Sequence, residues 1–177
     1  DDAVDVKTYR LETMKAYWPN TQIQTHIMSY EPTRWLDQVL PYSDVIYIHA
    51  EIKNNIKPLI QKIKQSGKKA GIALTMATSP DDILDLLNII DYVLLLTIPK
   101  PGSSGQKFDM DGLVYIDQLN SMPFRKNFRI CVDGGINNKI APQLQVENIV
   151  SGSSVLNHKD PKSQILCLQT AGRYEAN

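Results

Sequence analysis

The chain has 177 residues, with 19 basic and 19 acidic side chains and no net charge. That length suits one domain with a sizeable core, and the balanced charge argues against nucleic acid as a partner. No apolar run approaches the ~18 residues needed to span a bilayer, so no membrane association is expected. Cys131 and Cys167 stand far apart and form no CxxC pair, which argues against a disulfide scaffold or zinc ribbon and makes a cytoplasmic setting the expectation. The opening "DDAVDVKTYR" has no apolar signal core and no initiator Met.

Taken in chain order, short strand-like runs alternate with amphipathic ones. "TQIQTHIM" (21–28) reads as a strand and "PTRWLDQVL" as a helix. "DVIYIHA" (44–50) reads as a strand, followed by a helix over "NNIKPLIQKIKQSG" that Gly67 closes and in which Pro58 marks the first turn. "KAGIALTM" is a strand; "SPDDILDLLNI" is expected to be a helix with Ser79 as N-cap and Pro80 at its first position. "DYVLLLTI" (91–98) is a nearly all-apolar strand, and a Gly/Ser/Pro loop leads from it to a helix around 111–120. "FRICVD" and "NIVSG" are the last two strands, with a helix-like stretch after the first of them. "DPKSQILCLQTA" is a closing helix capped by Asp160.

This alternation predicts βα units and a parallel sheet covered on both faces. Six strands suit either an open doubly wound sheet or a (β/α)8 barrel of which two units lie ahead of this chain, since a closed barrel needs eight. In both architectures function gathers at the carboxyl ends of the strands. Polar residues recur there: His26, then His49 and Glu51, then Thr97 and the glycine loop, then Asp133, then Gly152 and Ser153.

Asp133 ends a run of strand formers and is followed by Gly134 and Gly135. It reads either as a helix cap or as a site residue, and the two glycines, which allow backbone N–H groups to approach a ligand, favour the site. His26 by itself reads as a core histidine; taken with Asp133 it reads as a ligand. His49 and Glu51 read equally as structure or site. Cys131 reads as a small buried apolar residue, His158 as solvated, and the methionines as core or boundary fillers. "SGSS" (151–154) after a strand has the form of a phosphate cradle at a helix N-terminus. If two strands lie ahead of the chain, "VDGG" and "VSGSS" end strands seven and eight, where barrels commonly bind phosphate.

In order and spacing, "THIM", "IHAE", "GIALTMATS", "LTIPKPGSSGQKF", "VDGGIN" and "VSGSSV" resemble the ribulose-phosphate 3-epimerase family, over about residues 20–170. The resemblance implies a (β/α)8 barrel of the ribulose-phosphate-binding type, with residues 1–177 as a single, N-terminally incomplete domain. It implies a cytoplasmic isomerase of the pentose phosphate pathway. The reaction would be epimerisation of D-ribulose 5-phosphate to D-xylulose 5-phosphate, or of a related sugar phosphate, at carbon 3 through an enediolate. It further implies a divalent metal (zinc, iron or manganese) and a homo-oligomer. Carried over residue by residue, His26 is a metal ligand that also touches substrate, and Asp133 is metal ligand and acid/base. Met28 lies beside the metal histidine. Gly102, Ser103, Ser104 and Gly105 form a loop over the sugar phosphate, Gly134 and Gly135 bind substrate through their backbone, and Gly152 and Ser153 hold the phosphate.

The resemblance also implies that the other base and two more ligands come from an H-x-D motif on the family's second strand. No such motif stands ahead of His26, and neither Asp1, Asp2 nor Asp5 takes its place. The loop "PKPGSSGQ" is one residue longer than the family's and has serines for its aromatic and one glycine. Thr75 stands for an asparagine, Met76 for a proline and Leu96 for a pocket methionine. These departures leave two alternatives: a catalytically inactive sugar-phosphate-binding relative, or another phosphate-binding barrel enzyme such as a decarboxylase or synthase.

Overall fold

The computed structural model describes residues 10–52 and 55–171; Asp1, Asp2 and Asp5 lie outside them. Within them, six strands form one sheet: β1 (Gln24–Ile27), β2 (Val45–His49), β3 (Lys69–Thr75), β4 (Tyr92–Leu96), β5 (Arg129–Asp133) and β6 (Asn148–Val150). Their order is sequential and every pairing is parallel. A doubly wound sheet reverses its strand order at a switch point, whereas a barrel adds each strand beside the last. The sequential order therefore selects the barrel architecture over the open doubly wound sheet.

The helices are α1 (Leu11–Tyr17), α2 (Thr33–Val39), α3 (Ile56–Gln65), α4 (Asp111–Ser121), α5 (Ser153–Leu156) and α6 (Pro161–Thr170). α3 shows how local chemistry sets these bounds. The Asn55 side chain accepts the Lys57 N–H at 3.2 Å, and Pro58 sits in the first turn, where an N–H has no partner in the helix. Leu59, Ile60 and Ile63 form the buried stripe. Gly67, at φ 73°, ends the helix: its N–H donates to Lys64 O and that of Lys68 to Ile63 O, the paired bonds of a Schellman cap. The lysines of this helix pair outward, Lys57 with Asp85 and Lys62 with Asp37.

Two expected helices are shorter than the sequence suggests. Ser79 and Asp82 form a reciprocal capping box, as the cap predicts, but only a 3-10 turn over Pro80–Ile83 follows. Contacts continue as i→i+3 bonds, Leu84 to Asp81 and Leu86 to Ile83, and the buried Ile83, Leu86, Leu87 and Ile90 follow the core closely. After Gly135 there is likewise only a short 3-10 turn, Ala141–Gln143. Pro142 can donate no bond there, and Asn137 uses its side chain to accept the N–H groups of Lys139 and Ile140. α1 is an element the hydrophobic pattern does not announce, because it has no fully buried residue. Met14 and Met110 are exposed rather than packed, while Met122 is core.

Strand alternation divides the apolar residues into two layers. Ile46, Ile48, Ile72, Leu74, Val93, Leu95, Ile130 and Val132 face the helices. Val45, Tyr47, Ala73, Tyr92, Leu94, Leu96 and Cys131 form the opposite, inner layer. Acids at the amino ends of the strands hold the register. Asp44 accepts the Ile23 N–H, Asp91 that of Ala70, and Glu147 that of Ile130, each at 2.8–2.9 Å. Gly71 leaves room for the Tyr47 ring, because a Cβ there would lie 2.6 Å from Cε1. Gly71→Ala is thus expected to cost about 1–3 kcal/mol by overpacking, read as a lower urea midpoint. Combining it with Tyr47→Leu should recover part of the loss; strict additivity would show that the two residues do not press on each other.

Candidate active site

The parallel register sets which side chains share the inner face. His26 pairs with Tyr47, His49 with Ala73 and, through Leu94, with the level of Cys131, and Thr75 with Leu96 and Asp133. Residues paired in a sheet point the same way, so His26, His49 and Asp133 all project from the inner layer toward its carboxyl end.

His26, the third residue of β1, meets His49 across the strand gap, with the two Nε2 atoms 2.8 Å apart and the rings stacked at 4.8 Å. His49 Nδ1 lies 2.9 Å from Glu51 Oε2. Glu51 Oε1 accepts the Thr75 N–H at 2.9 Å, the Thr75 hydroxyl at 2.8 Å and the Thr78 hydroxyl at 2.5 Å. Burial raises the proton affinity of Glu51, but these bonds, from His49, Thr78 and Thr75, outweigh it and hold the carboxyl well below the usual range. His26 is pushed down to about 3, chiefly by burial and next by His49, with Glu51 opposing; it is a neutral imidazole at ordinary pH. Of the two readings open for His49 and Glu51, the geometry joins both to His26.

Asp133 ends β5 and is half-buried. Burial raises its pKa above the usual carboxylate range, and among the described residues no side chain or N–H donates to its carboxylate. Gly134 (φ 126°) and Gly135 (φ 69°) follow it, and both need glycine for space as well. A Cβ on Gly134 would lie 2.7 Å from Ile98 Cγ2, and one on Gly135 would strike the Phe108 backbone. Thr97, fully buried, donates its hydroxyl to Gly134 O at 2.9 Å and so fixes this turn. Asp133 is therefore not the cap of a following helix. Cys131, two residues back, is buried and pushed up to about 12 by burial, which leaves it no nucleophilic role.

The Gly102–Gly105 loop bridges the two halves. At one end a Cβ on Gly102 (φ 83°) would lie 3.9 Å from Met28 Sδ; at the other, Phe108 meets Gly135. Ser103 and Ser104 are exposed. Gln106 holds the loop closed, with Oε1 accepting the Lys100 N–H and Nε2 donating to Lys100 O and Ser103 O; the sequence reading does not single it out. Gly152 and Ser153 begin α5, two residues past Val150, which pairs with Asp133. α5 is a single turn rather than a long helix. Ser151 donates to Ile136 O at 3.0 Å and ties this loop to the one after β5. The sequence's His-x-Asp triplet, His158-Lys159-Asp160, is exposed, and Asp160 caps α6.

Among the described residues no three His, Cys, Asp or Glu side chains cluster as a metal centre. His26 and Asp133 nonetheless fit a cation in kind: one is a neutral imidazole, the other a half-buried carboxylate with no donor among these residues, and nitrogen with carboxylate oxygen suits zinc, iron or manganese. No helix among these residues is long and apolar enough to cross a membrane.

Acid should weaken the fold from two sources. The folded pKa values of His26 and Glu51 both lie below their unfolded values, so their contributions are present above those unfolded values and are lost as pH falls. The denaturation midpoint is expected to drop from pH 6.5 toward 3, the span of the His26 shift, and Glu51→Gln should cost about 1–3 kcal/mol at pH 7. Asp133 acts in the other sense. Its raised pKa makes the ionised form a burden on the folded state, so Asp133→Asn should raise the melting temperature at pH 7 in chelated buffer. An unchanged or lower value would mean the carboxylate is already compensated.

Comparison with known proteins places the chain. The family model described as "Ribulose-phosphate 3 epimerase family" matches residues 3–156. Curated relatives include the ribulose-phosphate 3-epimerases of Bacillus subtilis, 33% identical over 81% of this chain and 69% of that protein, and of Candida glabrata, 29% identical over 89% and 64%. That of Aquifex aeolicus is 33% identical over 80% and 66%. The chain thus spans about two thirds of the length of such relatives. Among solved structures, 3-keto-L-gulonate-6-phosphate decarboxylase from Vibrio cholerae superposes with a TM-score of 0.69 at 12% identity, covering 90% of this chain and 75% of that one. KGPDC from Streptococcus mutans gives 0.63 at 13% identity with the same coverage. At such identities these likenesses concern the fold alone.

Proposed function

Because the chain belongs to the ribulose-phosphate 3-epimerase family, we propose that its protein epimerises a pentulose phosphate at carbon 3, with D-ribulose 5-phosphate as the first substrate to test. The observation that carries this reading is Asp133: a half-buried carboxylate with no donor among the described residues, at the carboxyl end of an inner-layer strand, followed by two glycines.

Inversion requires removal of the carbon-3 proton, acidic because it lies α to the carbon-2 ketone, and return of a proton from the opposite face. Asp133 takes the proton on one face. Its place at the end of β5, with Gly134 and Gly135 behind it, gives the carboxylate access to the substrate. Gly134 and Gly135 leave room for the substrate beside the carboxylate. Gly152 and Ser153 receive the phosphate, and the Gly102–Gly105 loop with Ser103 and Ser104 covers the sugar and excludes water. His26 and Asp133 are this chain's ligands to a divalent zinc, iron or manganese ion, and Met28 packs beside the histidine. When bound, that ion supplies positive charge to the enediolate oxygens. The family's second acid/base group has no counterpart assigned among the described residues. The single barrel domain and a homo-oligomeric assembly belong to the same reading.

The test is a coupled assay with D-ribulose 5-phosphate and other ketose phosphates in the presence of zinc, iron(II) or manganese. Asp133→Asn should lower kcat by at least ~100-fold, the low end for a general base, while keeping most of the affinity for sugar phosphate. Turnover by this variant at the wild-type rate would remove Asp133 from the mechanism. Binding of every sugar phosphate without epimerisation of any would leave a non-catalytic relative.

A further inference from the structure

Beyond the residues named for the reaction, the inner face carries a line of hydrogen bonds across three strands: His26 on β1, His49 at the end of β2, Glu51 just after it, and Thr75 at the end of β3 with Thr78 behind it. We propose that Glu51 and His49 are positioning residues that set the tautomer and ring plane of His26, so that Nδ1 of His26 is the nitrogen presented to the cation. This rests on the assignment of His26 as a metal ligand.

The chemistry follows from the anchored end. Glu51 Oε1 is occupied by three donors, and Oε2 faces His49 Nδ1 at 2.9 Å. A carboxylate accepts only, so that ring nitrogen carries hydrogen. In neutral His49 the lone pair is then on Nε2, and its partner among the described residues, 2.8 Å away, is Nε2 of His26. His26 must donate there, which leaves Nδ1 with its lone pair bare. Among the described residues no donor takes that Nδ1. Stacking of the two rings, 27° from parallel, fixes the plane in which the lone pair lies. An imidazole that donates one nitrogen to an oriented acceptor presents the other to a metal in one geometry, and such outer partners typically change metal affinity by about 10–100-fold when removed.

A purely structural cluster would make the same contacts, but its loss would leave metal affinity unchanged. The tautomer itself is read in the full chain, labelled with 15N at histidine and freed of metal, by two-bond proton–nitrogen correlation. His26 should hold its proton on Nε2. A proton on Nδ1 overturns the proposal without any variant being needed.

Zinc affinity, measured by competition with a chelator, supplies the second readout. His49→Phe keeps the ring but removes the acceptor, and should weaken zinc about 10–100-fold with His26 losing its single tautomer. His49→Gln, whose amide oxygen and nitrogen replace acceptor and donor, should restore affinity to within a few-fold of wild type. Equal zinc affinity in wild type and a folded His49→Phe overturns the relay. If His26→Ala also binds zinc as wild type does, the assignment of His26 as a ligand has failed instead, so the two failures are told apart.

Discussion

The parallel register of the sheet is the constraint on which everything else depends. Side chains alternate across a strand, so a slip of one residue would turn every inner side chain outward. Three acids at the amino ends, Asp44, Asp91 and Glu147, each accept a backbone N–H of the preceding strand and oppose such a slip. Lys15 adds a charged bond to Asp44, and Arg125 one to Glu147. The same alternation that buries Tyr47, Leu94 and Cys131 then brings His26, His49 and Asp133 to the carboxyl end of the inner layer.

The two ends of the sheet therefore treat their polar groups differently. At the amino end each carboxylate is tied to backbone and cation, and its chemistry is spent on register. At the carboxyl end Glu51 is fully bonded, whereas Asp133 is half-buried without a donor among the described residues. A carboxylate held in that state costs stability unless something positive or acidic meets it. A bound cation would relieve that unfavourable environment, so the feature that weakens the free chain is the one the proposed metal site needs.

Glycine placement makes this possible. Gly134 and Gly135 combine positive φ with space that a Cβ would fill, and Thr97 locks the turn from beneath. The bridging loop depends on Gly102 and Gly105 for its turns, and on Gln106 to hold the turn shut. With serines at 103 and 104, its outer surface is small and polar.

Much of the fold is legible in the sequence. Runs such as "VLLL" and "IYI" fit strands buried on both faces, Gly67 closes α3, and the polar residues ending successive strands mark one end of the sheet. Helix length after Ser79 and Asn137 is not legible, because a cap announces where a helix starts and not how the core below lets it continue. α1 escapes notice for lack of a buried stripe. The family resemblance singles out His26 and Asp133 by their neighbours in the chain. Only the tertiary structure decides what His49 and Glu51 do, since their bonds to His26, Thr75 and Thr78 cross strand gaps of 23 to 27 residues. The sequence by itself determined which residues alternate and where each strand stops; the pairing of β1, β2 and β3 decided which of those ends touch, because hydrogen-bond partners in a parallel sheet are set by register between distant segments and not by anything local to either.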